Sequence, residues 1–187
     1  MHEQREALLS SVETQTRTVE KFLESRTPDM LSRRPAPEKW SVVEHLEHLA
    51  ITNALYLESI SGAVERARDL AWAAEGPFVG GRWLAERLVA SQEPPPRMRL
   101  RTFRKVRPRQ DLDGTAVLER FRSLQRDFEV LLRGAEGVDL GRAQLRSPLL
   151  ALVKLTAMQG FRLIECHNRR HIWHMEQTLS RLEGGVS

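Results

Sequence analysis

The chain has six histidines, and five of them fall into two clusters whose spacing suits metal chelation. His167, His171 and His174, in HNRRHIWH, stand at i, i+4 and i+7. On an α-helix those offsets place all three within an arc of about 60° on one face. Imidazoles at i and i+4 rise from successive turns and can converge on one divalent ion at about 2 Å. The plainer reading of helix-spaced histidines is a set of hydrogen-bonded core or surface residues. A third ligand from elsewhere raises the metal reading above it, and His45 and His48, in SVVEHLEHLA, are the candidates. Three neutral imidazoles leave an ion with an open position for water or a substrate atom, which separates catalytic from closed structural sites.

The elements that must carry these residues are helical. Leu8, Leu9, Val12, Val19, Phe22 and Leu23 recur at helical spacing, predicting a first helix over about 3–25 that Thr27-Pro28-Asp29 ends. Arg33 to Trp40 contains two prolines and reads as a loop. Ser41 and Glu44 then form an S-x-x-E capping box, opening a helix to about residue 61 or beyond. Between Leu70 and Pro96 the pattern weakens, with breaks at Gly76-Pro77 and Gly80-Gly81 and a short helix over 82–91. Asp113 or Thr115 caps a third long helix with the stripe Val117, Leu118, Phe121, Leu124, Phe128, Leu131 and Leu132, closed by Gly134. Ser147-Pro148 opens an apolar turn, and Thr156 with Gln159 forms a second capping box for a helix to about Leu182. No alternating β pattern of useful length is expected. The stripe of the second helix, centred on Val42, Leu46, Leu49, Asn53 and Ile60, passes nearer His45 than His48, yet periodicity alone does not choose between them.

Composition sets the outer bounds. A chain of 187 residues, 41% hydrophobic and 29% charged, reads as one globular domain over 1–187. The lone cysteine, Cys166, excludes a disulfide framework. The net charge of +4 is local, because Arg97 to Arg109 carries seven basic residues and no acid, leaving the other 174 residues at −3. This segment has one aromatic, Phe103, and no reading element, which argues against nucleic-acid binding and for a solvated or acid-paired connection. No apolar signal core opens the chain and the most apolar stretch, Pro148 to Ile164, is broken by Lys154, Gln159 and Arg162, so a cytoplasmic protein without a membrane span is expected.

The run Pro37 to Ala50 (PEKWSVVEHLEHLA), followed more than a hundred residues later by His167-Asn168-Arg169-Arg170-His171, resembles the DinB-like superfamily, including its YfiT-type proteins. The shared signature is a Trp-Ser/Thr pair, a histidine eight residues after the tryptophan and a late H-x3-H, here Trp40-Ser41, His48 and His167/His171. The resemblance implies an all-α, up-down-down-up four-helix bundle, often a homodimer, binding a divalent metal through His48, His167 and His171. The ion would be Zn, Ni or Fe. Relatives include metal-dependent hydrolases and enzymes that use a low-molecular-weight thiol such as mycothiol or bacillithiol in isomerase or S-transferase reactions. The implied partners are therefore a small-molecule substrate and, in the second class, a thiol cofactor. Two positions depart from the pattern: His174 stands where relatives commonly have Gln, and Thr52 and Asn53 stand where many have an acid. His174 is thus a candidate fourth ligand or a donor behind the ligands, and no general base is assigned. The alternative is a non-catalytic bundle that uses the basic segment 97–109 to hold a partner.

The remaining residues carry structural expectations. Trp40 should act as a hydrophobic staple at the helix start. Trp173 should pack beside the histidine face, Glu44 should serve its cap and Glu47 should face solvent. Cys166 points about 100° away from His167 on the helix and reads as a structural thiol. Arg162, Arg169 and Arg170 surround the histidine helix and could pair with acids, with a substrate carboxylate as the unsupported alternative.

Overall fold

The computed structural model describes residues 2–73, 83–96, 102–109 and 111–184. Four long helices make the frame: α1 (His2–Glu24), α3 (Val42–Asp69), α5 (Gly114–Gly134) and α6 (Ala157–Gly184). Two short helices, α2 (Pro28–Ser32) and α4 (Trp83–Ala90), and a 3-10 turn at Arg104–Val106 fill the connections. This is the expected four-helix bundle, with α1 and α3 each packed against both α5 and α6.

The ends of the helices follow local chemistry. Thr27 caps α2 by accepting from the Met30 amide, with Pro28 at the first helical position, where a missing N–H costs nothing. Ser41 and Glu44 make a reciprocal capping box at α3. Asp113, rather than Thr115, caps α5 by accepting from the amides of Thr115 and Ala116. Thr156 and Gln159 exchange the same pair of bonds at the start of α6. Helix α3 continues to Asp69, well past residue 61.

A small antiparallel hairpin joins α5 to α6, with β1 (Gln144–Arg146) paired to β2 (Lys154–Thr156) and Leu145 opposite Leu155. Each strand has only three residues, too few to show alternation in the sequence. Gly76-Pro77, Gly80-Gly81 and basic residues 97–101 lie outside the described residues. No helix among the described residues is long and apolar enough to cross a membrane.

The core has two apolar halves separated by a polar layer. Val12, Ile60, Phe128 and Phe161 belong to one half, and Val19, Leu46, Phe121 and Met175 to the other. Between them each long helix contributes one buried amide: Gln15, Asn53, Gln125 and Asn168. Asn53 Nδ2 donates to Asn168 Oδ1 at 3.0 Å, and Asn168 Nδ2 donates to Gln125 Oε1 at 3.2 Å. Gln15 Nε2 donates to Glu165 Oε1 at 3.0 Å. His167 directly precedes Asn168 on α6, and His48 lies five residues before Asn53 on α3.

Candidate metal centre

Helices α3 and α6 pack face to face, and this packing joins the two histidine clusters. His48, His167 and His171 form a group in which one ring nitrogen of each lies within 4.8 Å of the others. His45 and His174 stand outside that group. His45 adjoins it, with Nδ1 at 3.0 Å from His171 Nδ1, so one of these rings donates to the other and His45 helps set which His171 nitrogen carries the proton. The His174 ring stacks on that of His45, with centroids 5.4 Å apart.

The protonation of His48 follows from its partner. Its Nδ1 lies 2.6 Å from the Val106 carbonyl oxygen, which can only accept, so Nδ1 carries the hydrogen. In the neutral ring Nε2 then has a free lone pair, and it faces His167 Nε2 at 3.4 Å. Two nitrogens held at about 2.0–2.1 Å by a tetrahedral ion stand about 3.3–3.4 Å apart, so this spacing fits coordination. His167 Nδ1 is buried without a hydrogen-bond partner among the described residues, which leaves that ring with unmet bonding capacity.

Burial also keeps these rings neutral. Desolvation pulls the pKa of His45, His167 and His171 well below the ordinary histidine value and lowers that of His48, whose bond to Val106 opposes the shift. His174 falls to about 4, first through desolvation and then through the charges of Arg170, Lys39 and Arg181. Metal ligands must be deprotonated, so the fold holds the donors in the form an ion needs.

The histidines line a cavity of about 1300 Å³ together with Trp40, Trp173, Tyr56 and residues of segment 102–109. Trp40 does more than staple the helix. It directly precedes the Ser41 cap, and its ring lies 5.3 Å from that of His45, the staple position, but also 5.1 Å from His48 and 6.1 Å from His171. Trp173 has its ring 5.0 Å from His174 and borders the cavity as well.

Glu47 corrects another expectation. It is 1% exposed, with its carboxylate 3.3 Å from Arg109 and 3.5 Å from Arg120. A helix wheel places it outward, but segment 102–109 folds over that face of α3. Two contacts therefore tie the described part of the basic segment to α3: Val106 to His48 and Arg109 to Glu47. Backbone carbonyls have no sequence signature, so the first was invisible in the sequence.

Glu44 serves its cap as expected and also pairs with Arg34. Cys166 is buried, its thiol donates toward Glu93 and Glu165, and desolvation pushes its pKa up, which fits a structural thiol. Arg162 pairs with Glu86, and Arg169 with Glu93 and Glu165. Arg170 donates to the Ser91 carbonyl at 2.9 Å.

Fold and site together define a four-helix bundle with a three-histidine cleft. The chain matches the sequence model of the DinB superfamily over residues 11–175 and belongs to that superfamily. Among solved structures it is similar to YfiT from Bacillus subtilis, described as "a probable metal-dependent hydrolase with an unusual four-helix bundle topology". That likeness has a TM-score of 0.64 at 18% identity and covers 98% of this chain and 90% of that one. No curated protein matches the chain.

Proposed function

We propose that this protein is a divalent-metal-dependent enzyme acting on a small molecule, of the hydrolase or low-molecular-weight-thiol transferase type, with His48, His167 and His171 as the ligands. The observation that carries this reading is the convergence of three burial-neutralised imidazoles in the wall of a large cavity. A bound ion supplies Lewis acidity that polarises a carbonyl and acidifies water or a thiol. The description of YfiT as a probable metal-dependent hydrolase supports the hydrolase branch by analogy alone.

The chain's own residues would do the positioning. Val106 holds the proton of His48 on Nδ1 and directs Nε2 inward, and His45 orients His171. Trp40 closes one side of the histidine cluster and limits water there. Among the described residues of the cavity the acids are Glu38 and Glu44, and Glu44 is held by its cap and by Arg34. Proton transfer by a carboxylate beside the histidines is therefore not assigned.

The reading in which segment 97–109 serves only to bind a partner is less well supported. Among its described residues Val106 turns inward to His48 and Arg109 reaches Glu47, whereas Phe103, Arg104, Lys105 and Arg107 are exposed. The test is metal content after purification and dialysis, for the wild type and for His48→Ala/His167→Ala/His171→Ala. One ion per chain in the wild type and almost none in the variant is expected. Equal content in both would sink the proposal.

A further inference from the structure

The cavity wall beyond the ligand cluster is cationic. Lys39 from the loop before α3, Arg107 from the basic segment, and Arg170 and Arg181 from α6 all line it. Of the two acids among its described lining residues, Glu44 is paired with Arg34 and Glu38 stands against these four cations. Among the described residues Lys39, Arg107 and Arg181 have no carboxylate at ion-pair distance. Arg170 is buried and anchored through Nη1 to the Ser91 carbonyl, so its guanidinium sits in a fixed place.

Helical spacing aligns the α6 charges on one face. Arg170, His174 and Arg181 lie at i, i+4 and i+11 of α6, on the face that also carries His167 and His171. Lys39, Arg170 and Arg181 all border the same cavity as His174. At 1.5 Å per residue, His174 and Arg181 lie about 5 Å and about 15 Å along the axis beyond His171. A cationic wall therefore runs away from the three histidines for the length of a small metabolite. Small-ligand cavities usually measure about 300–1,000 Å³. At about 1300 Å³ this one has room well beyond a single reacting group.

We propose that the cavity recognises an organic anion, with a carboxylate or phosphate held by Lys39 and Arg181 beside His174 and an apolar body packed against Trp40 and Trp173. The inference rests on the cavity being the substrate site of the proposed enzyme and names its substrate class. Charge-assisted hydrogen bonds to such a group are about twice as strong as neutral ones, so a neutral analogue of the same shape forfeits most of the recognition.

Isothermal titration of the full chain, metal-stripped and zinc-loaded, with phenylacetate, benzyl phosphate and phenylacetamide tests this. At least one anion should bind about tenfold or more tightly than the amide in both metal states, a gap of about 1.4 kcal/mol. Comparing phenylacetate with benzyl phosphate identifies the headgroup. Lys39 is half-buried and Arg181 exposed, so Lys39→Gln/Arg181→Gln should keep the fold, checked by circular dichroism, while losing most of that preference. Equal binding of amide and anions, no binding of any of the three probes, or full preference in the variant would overturn the proposal. Zinc content of the same samples separates the two readings. Anion preference without zinc uptake removes the metal enzyme and leaves the anion site, whereas zinc uptake without anion preference removes only the anion site.

Discussion

His48 and His45 are three residues apart on one helix, yet tertiary contacts give them different work. His48 presents a lone pair to His167 because Val106 takes its Nδ1 proton, whereas His45 meets the cluster through its contact with His171. All five histidines of the cleft have folded-state pKa values below the ordinary one of about 6.5, which an unfolded chain restores. As pH falls below about 6.5 the unfolded chain therefore binds protons that the folded chain refuses, and stability drops. For His174 that loss continues down to about 4. The carboxylates with lowered values, Glu44 and Glu93, act only below their usual range near 4.5, so the histidines control the interval from about 6.5 to 5. Metal-free protein should show a lower urea midpoint at pH 5 than at pH 7, and a flat profile would show that these rings protonate without opening the fold.

The hinge between sequence and site, at the scale of elements, is the contact of α3 with α6. Gly160 allows it: a Cβ there would meet Ile60 Cγ1 at 2.9 Å and Leu145 Cδ2 at 3.5 Å. Ile60 is fully buried and has nowhere to retreat. Gly160→Ala gains about 1 kcal/mol of helix propensity but overpacks this contact, at a cost of about 1–3 kcal/mol. Net destabilisation in urea unfolding is the expected outcome, and a more stable variant would show that α6 can shift without strain. Caps were the most legible elements, because capping depends on neighbours in sequence: Ser41-Glu44, Asp113 and Thr156-Gln159 all form as their residue types require. The hairpin at 144–156 was not legible, since three-residue strands are set by the side chains they land on, as with Leu145 and Leu155 in the core.

Across the whole molecule, the three histidines span two helices that are far apart in sequence but packed together in the bundle. An ion bound there bridges α3 and α6 and binds only the folded chain. By mass action it should raise stability by about 2.7 kcal/mol at a free concentration a hundredfold above Kd. Thermal unfolding with zinc against EDTA should therefore show a higher Tm for the wild type and no difference for the triple alanine variant. A Tm indifferent to zinc in the wild type would separate metal uptake, if found, from this site. The buried amide layer beside the site, Gln15, Asn53, Gln125 and Asn168, draws one residue from each long helix, so the four helices share one polar register.

The sequence by itself determined the helical frame, the caps and the kinds of ligand, because those depend on 3.6-residue periodicity and on neighbours a few positions away. It also placed the net excess of positive charge in 97–109. Periodicity left the third histidine open between His45 and His48, although resemblance to the family pointed to His48. Tertiary structure decided how the residues meet. It turned segment 102–109 onto α3, buried Glu47 under Arg109 and Arg120, set Trp40 against the histidine rings and aimed the Val106 carbonyl at His48. Each of these depends on what lies across a packed interface, and a helix wheel describes one helix without its neighbours.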